Sequence, residues 1–223
     1  MDSFILPEIF EHRQQIVKLY EQFIHDNPID EVSTWFGLKD KNETKKNIYY
    51  LTRQPTMKAI QRYTGVAYDA IDYENLDKKS RTYIDHKVVI FSDLFGAVMA
   101  KDFIPNYRYK QGAKLPSIDV AKYYKKHLKN SLYEILGDEI LDLRAGYYDK
   151  YYKPIASVIT YKFIKNGKLV SHWAKYYRGK LLKDIAYNSI ENFAMLMKFD
   201  IPYLKTIDIQ TKKNLKTIVV EVL

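Results

Sequence analysis

The chain contains no cysteine. Disulfides, thiolate nucleophiles and cysteine-ligated zinc or iron–sulfur clusters are thereby excluded, and a reducing compartment is the expected setting. No apolar run approaches the ~20 residues that a membrane-crossing helix needs. The first eleven residues carry acids and lack a basic stretch followed by an apolar one, so they do not read as a signal peptide. A cytoplasmic protein without membrane contact is expected. The 8 glycines and 7 prolines form no linker, and the chain has no repeat or low-complexity tract; one domain spanning residues 1–223 is therefore expected. HExxH, DxDxDG, GxSxG and GxxxxGK[ST] are all absent. His12, His25, His86, His127 and His172 include no pair at i, i+3 or i, i+4, and each reads as a surface or structural residue rather than a ligand. No metal or other cofactor is expected.

What the chain has is aromatics and unevenly placed charge. Hydrophobic residues make up 47% and aromatics 15%, enough for a sizeable core. The net charge is +9, yet residues 1–100 carry 13 basic and 15 acidic side chains and residues 184–223 carry five of each. Residues 101–183 hold 18 basic against 7 acidic side chains, a surplus of 11. Such a segment attracts polyanions and holds phosphates through counterion release; lysine-rich composition is the bland alternative.

Periodicity gives a coarse outline. Pro7 suits a first helical turn, and Ile16, Leu19, Tyr20 and Phe23 form one apolar stripe that should end at Asn27-Pro28. Residues 30–53 read as two short helices around Phe36-Gly37-Leu38-Lys39, and a further short helix is predicted from Met57 to Tyr63, broken by Gly65. Val88 to Phe91 and Ile140 to Leu143 read as strands, with a long helix from about Ile118 to Leu136 between them. Val158 to Ile164, Asn166-Gly167 and Leu169 to Trp173 form the pattern of a hairpin with a type I′ turn. Helices should follow over Ala174 to Tyr187 and Glu191 to Met197. The last strands should be Leu204 to Ile209 and Ile218 to Val222, joined by a turn at Thr211 to Asn214. The expected class is α+β: a single compact domain with a mixed β-sheet surrounded by helices.

Three segments point to phosphate chemistry. Glycine at the tip of the 30–53 helical pair would let backbone amides face outward beside a helix N-terminus, with Lys39, Lys41, Lys45 and Lys46 around them. This is the outline of a helix-hairpin-helix gripping the DNA backbone; a plain glycine helix cap is the other reading of Gly37. Asn106-Tyr107-Arg108-Tyr109-Lys110 alternates rings and cations, so a strand here would place tyrosines on one side for stacking and Arg108 and Lys110 on the other for phosphates. The alternative is a tyrosine-lined core edge with solvated cations. Lys175 and Arg178 lie at i, i+3 of a helix, and Gly179 beside them implies close approach by a ligand or by a neighbouring helix.

Several of these residues together resemble the YaaA peroxide-stress family. Ser92-Asp93-Leu94-Phe95-Gly96, Asp102, Tyr107-Arg108 and Gly112 resemble its "LSGLYG…D…PYR…G" core. Tyr63 to Tyr68 looks like its "FxGxVY" element, Leu143 with Tyr148 and Lys150 like its "NLAS.EY.K" stretch, and Ser171 to Lys175 with Arg178-Gly179 like "SxYAKxxRG". The elements occur in family order from about residue 60 onward. Departures are Met99-Ala100 for the family's Arg-Pro, Asp142 for its strand asparagine, and Asp2-Ser3-Phe4 where members have a short strand and a Ser-Pro-x-Lys motif. The resemblance implies a cytoplasmic protein that binds DNA through a helix-hairpin-helix and a basic cleft and limits oxidative DNA damage and unincorporated iron. By position it supports Tyr68, Tyr107, Arg108, Tyr148, Lys150, Lys175 and Arg178 as functional residues.

The expected function is thus non-enzymatic, sequence-independent DNA binding by a monomer. The rival is an enzyme acting on a nucleotide or nucleobase, with Lys175 and Arg178 clamping phosphate and Asp102, Tyr148 or Lys150 as acid–base groups.

Overall fold

The computed structural model describes residues 4–128, 131–170 and 173–223. In chain order the helices are α1 (Phe10–Asp26), α2 (Ile29–Phe36), α3 (Lys41–Lys45), α4 (Ala59–Arg62), α5 (Val66–Ile71), α6 (Lys78–Lys87), α7 (Val120–Leu128), α8 (Ser131–Leu136), α9 (Ala174–Tyr187) and α10 (Phe193–Lys198). The strands are β1 (Thr56–Lys58), β2 (Val89–Ser92), β3 (Gly96–Met99), β4 (Phe103–Pro105), β5 (Glu139–Leu141), β6 (Ser157–Lys165), β7 (Lys168–Leu169), β8 (Leu204–Lys212) and β9 (Leu215–Val222). This is the expected mixed α/β class. The chain gathers into two compact units: residues 1–62, 89–132 and 148–152 form one, and residues 63–88, 133–147 and 153–223 the other. Among the described residues no helix is long and apolar enough to cross a membrane.

The first unit is organised around α1, which buries Ile16, Val17, Tyr20, Phe23 and Ile24 and stops at Asn27 because Pro28 follows. Arg13, on the same helix, has no solvent exposure. Its guanidinium donates to four backbone carbonyls: Phe95 at 3.1 Å, Leu6 at 3.0 Å, Ile5 at 2.7 Å and Ala97 at 2.9 Å. Burial depresses its pKa, and the nearby Asp102 carboxylate works in the opposite direction. β2 and β3 pair antiparallel from Val89↔Met99 to Ser92↔Gly96, and β1 pairs antiparallel with β4. That second ribbon corrects the helix expected over Met57 to Tyr63. The pairing of Thr56–Lys58 with Phe103–Pro105 takes the first residues into a strand, and only Ala59–Arg62 remain helical. The long helix expected over 118–136 is seen as α7 and α8, with residues 129 and 130 outside the described ones.

The second unit is a five-stranded mixed sheet of order β5-β6-β9-β8, with β7 paired to β6. β6 runs parallel to both β5 and β9, while β8 returns antiparallel to β9. Ile159, Tyr161 and Phe163 of β6 and Ile218, Val220 and Val222 of β9 pack with Leu181 and Ile185 of α9 and Leu196 of α10. The expected hairpin is present: Asn166 and Gly167 both take positive φ, 51° and 71°, as a type I′ turn requires. Its return strand is short, and Ser171 and His172, expected in it, lie outside the described residues. The last turn is tighter than expected, because Thr211 and Lys212 pair with Lys216 and Leu215 and leave only Lys213-Asn214 to turn. Helix α9 spans the residues read from the sequence.

Gly179 of α9 is where α5 crosses: a Cβ there would lie 2.1 Å from the Ala67 carbonyl oxygen and 3.0 Å from the Ala70 Cβ. The close approach read from the sequence is therefore a helix neighbour.

Gly179→Ala is expected to lower stability by about 2 kcal/mol or more, since backbone must move to admit one methyl group. Urea unfolding measures this, and an unchanged midpoint would refute the packing argument. A second expectation concerns His127, which lies 3.6 Å from His12 between ring centroids. Its pKa is depressed by desolvation and by His12 and Lys126. Its contribution is present above the unfolded value of about 6.5 and is lost as pH falls below it. Thermal melts from pH 8 to pH 5 should show this acid-side loss, and His127→Gln should flatten it.

Candidate nucleic-acid interface

Two segments far apart in sequence meet in the first unit. Helix α2 ends at Gly37, whose φ of 69° lies in the left-handed region. Gly37 N–H donates to the Thr34 carbonyl at 3.1 Å and Leu38 N–H to the Ser33 carbonyl at 2.8 Å. These amides close the helix, so they are spent on α2 rather than facing outward. The five-residue α3 is capped by the Asp40 carboxylate, which accepts from Asn42 N–H at 2.7 Å, and a buried Ser33–Thr44 hydroxyl bond of 2.7 Å holds the two helices. The helical pair around Gly37 is thus present, but its backbone is not the open phosphate seat that the sequence suggested. What the turn presents is side chains. Lys41 pairs with Asp30 at 2.5 Å and Lys46 with Glu43 at 2.7 Å. Lys39 and Lys45 are exposed and make no ion pair among the described residues.

Residues 106–110 reach this same turn. They form no strand: β4 stops at Pro105 and the rings that follow are held by side-chain packing, the arrangement of a tyrosine-lined core edge with solvated cations. Tyr109 lies parallel to Tyr20 at 6.2 Å and 4.4 Å from Trp35. Tyr107 bonds the Ser92 hydroxyl at 2.8 Å and meets Phe95 edge-on at 5.2 Å. Both tyrosines are half-buried while Arg108 and Lys110 are exposed, so the alternation survives without a strand. Arg108 Nε donates to the Phe36 carbonyl at 3.1 Å, and the Lys110 stem covers Gly37, where a Cβ would come within 2.8 Å of Lys110 Cδ. Arg108 and Lys110 are thereby anchored at the turn that carries Lys39.

Elsewhere in that unit, Tyr148 lies 6.3 Å from Phe91 and 5.7 Å from Tyr151, and the Lys150 ammonium sits 5.9 Å from the Tyr151 ring centroid. Tyr151 donates a short hydrogen bond to Asp93. Asp102 is 2% exposed, and its Oδ2 accepts from Met99 N–H at 2.8 Å and Ile5 N–H at 3.3 Å. Burial raises its pKa. That is a bracing role, not the solvent-facing position an acid–base group needs.

In the second unit, Tyr68 of α5 stacks with Tyr63 at 5.6 Å. Lys175 is exposed, whereas Arg178 is half-buried with its pKa lowered by desolvation and opposed by Asp142. Asp142 holds Arg144 bidentately at 2.9 and 2.7 Å. The two i, i+3 cations therefore have different surroundings. Spacing missed the His12–His127 pair, because the two rings come from α1 and α7; Tyr123 bonds His12 Nδ1 at 2.7 Å beside them. Among the described residues no three His, Asp or Glu side chains are grouped to hold a metal ion.

A family model described as peroxide stress protein YaaA matches residues 5–206. An uncharacterized protein of Campylobacter jejuni is 45% identical over 223 residues, covering 100% of this chain and 91% of that one. A UPF0246 protein of Corynebacterium glutamicum is 35% identical over 173 residues, covering 73% of this chain and 69% of its own length. Another from Fusobacterium nucleatum is 28% identical over 196 residues, covering 83% and 79%.

Asp142→Asn should cost about 1–3 kcal/mol at neutral pH by removing the charge that Arg144 and Arg178 face. Desolvation alone would raise the Asp142 pKa, but Arg144 and Arg178 hold it below the ordinary carboxylate value. The contribution is therefore present above about pH 3.9 and lost as pH falls through the folded value. Chemical denaturation at pH 7 and at pH 3 should show the gap between variant and native protein closing with acid.

Proposed function

The chain belongs to the peroxide stress protein YaaA family, and from that membership we propose that it binds DNA without reading sequence during peroxide stress. It acts in the cytoplasm as a monomer, and the outcome of binding is less oxidative DNA damage and less free iron. The observation that carries the DNA reading is the meeting of Arg108 and Lys110 with the Gly37 turn and its exposed Lys39. Cations held by packing, and not neutralised by nearby carboxylates, lose little freedom when they meet phosphate. Residues 101–183 add exposed lysines on α7, at 122, 125 and 126, and around the β6–β7 hairpin, at 162, 165 and 168. Their positive field favours a polyanion over a small neutral ligand.

The roles within the proposed interface differ from the first expectation. Lys39, Lys45, Arg108 and Lys110 contact phosphates directly. Gly37 acts by letting Lys110 lie across it, and Tyr107 and Tyr109 act by anchoring the segment, since their rings already pack on Phe95, Tyr20 and Trp35. Lys175 is a further phosphate contact on the second unit. The enzyme reading is weakened because Asp102, one of its acid–base groups, is buried and braces backbone amides.

Fluorescence anisotropy with labelled DNA between low and physiological salt tests this. Binding should weaken with a log–log slope of about −0.9 per phosphate contacted on duplex. Lys39→Glu with Lys110→Glu should reduce affinity at least tenfold and lower the slope by roughly one unit per lost contact. Absence of binding at low salt would refute the reading.

A further inference from the structure

The first turns of α9 carry rings that do not all belong to the core. Trp173, Tyr176, Tyr177 and Lys180 fall at i, i+3, i+4 and i+7 and so share one helical face. At its inner end Tyr177 stacks on the core residue Phe163 at 5.6 Å and on Tyr203 at 6.2 Å. Tyr176 meets Tyr177 edge-to-face at 5.3 Å and 83°, and Trp173 meets Tyr176 edge-to-face at 6.0 Å and 83°. A ladder of rings therefore runs from the sheet to an indole that is 59% exposed. Whichever ring presents its edge in the last contact, at least one face of the indole is left uncovered by Tyr176. The Lys180 ammonium, on the same helical face, lies 3.7 Å from the Tyr203 ring centroid.

Tyr187, Phe103 and Tyr50 are also exposed, but among the described residues Trp173 is the exposed indole. The other tryptophan, Trp35, is 8% exposed and its Nε1–H is bonded to the Lys114 carbonyl at 2.9 Å. Tyr107 and Tyr109, first expected to stack on bases, are spent on protein neighbours. A large flat ring that is held by one ring neighbour, is mostly exposed and shares its helical face with a lysine suits a base with its own face exposed. A paired base, stacked on both sides, offers no such face.

We propose that Trp173 is a stacking platform for an unpaired nucleobase, with Lys180 holding an adjacent phosphate. This rests on the DNA-binding reading and extends it to a residue and a strand state: single-stranded or locally opened DNA engages the second unit through Trp173. Lys175, two positions on, points to a different side of the helix and serves duplex and single strand alike.

The test uses Trp35→Phe, which leaves Trp173 as the sole indole, titrated with a short oligothymidine and with a duplex of equal length at low salt. Indole emission and the anisotropy of the labelled DNA are read together. Single-stranded DNA should quench the indole strongly and duplex should leave it nearly unchanged. Trp173→Ala should weaken single-strand binding roughly 5- to 100-fold while sparing duplex binding. Trp173→Phe should retain most of it. If Trp35→Phe does not fold, the same quench is sought in the native protein and its loss in Trp173→Ala. Single-strand binding with unchanged emission and unchanged affinity in Trp173→Ala overturns the platform and leaves the DNA reading standing. Failure of the native protein to bind either DNA overturns both.

Discussion

A guanidinium sealed from water sets the frame of the first unit. Arg13 sits on the buried side of α1 and bonds no carboxylate among the described residues; its protons go to the carbonyls of Ile5, Leu6, Phe95 and Ala97. A buried cation is tolerated only if its donors are satisfied, so those carbonyls must stay where they are. Asp102 supplies the compensating charge at longer range while gripping the amides of Ile5 and Met99. One ionic arrangement thus fixes the segment before α1, the β2–β3 turn and the end of β3. Ser92, at the start of that turn, then holds Tyr107, and Tyr107 positions the backbone from which Arg108 and Lys110 project. The exposed cations owe their placement to a cation that solvent never reaches.

The same economy of charge marks the second unit. Asp142 is nearly enclosed, with Arg144 clamped on it and Arg178 nearby, so one carboxylate faces two guanidinia. Arg178 is consequently a poor analogue of Lys175, although the two are three residues apart. Exposure and partner, not spacing, divide the basic residues into those that stabilise the fold and those left for a polyanion.

Local signals were legible in the sequence and tertiary ones were not. The Asn166-Gly167 turn, the end of α1 at Pro28 and the whole of α9 followed from residues adjacent in the chain. β3 escaped because Gly96–Met99 is a four-residue buried stretch with no alternation to betray it. The ring–cation alternation at 106–110 shows its sidedness in the sequence but not its backbone, since half-buried tyrosines can be set by packing without a partner strand. Nothing in the spacing of Arg13, or of His12 and His127, announces that these residues will be enclosed or paired. The family motifs contain Tyr107 and Arg108, but Lys110 lying across Gly37 is a tertiary contact that no motif announces. Trp173 reads from the sequence as the end of a strand, whereas it is the exposed residue that opens α9.

The order in which the chain visits its two units has a consequence for inheritance. Each unit is assembled from three separated stretches, and the polypeptide crosses between them five times. A single recombination breakpoint between residues 63 and 152 exchanges parts of both. Neither unit can then be shuffled as a cassette in the way a continuous domain can. Variation is instead channelled into point substitutions and into loops such as the Lys213-Asn214 turn, where a change touches one unit alone. Such a gene is expected to diverge by gradual drift, with its two halves keeping a common history.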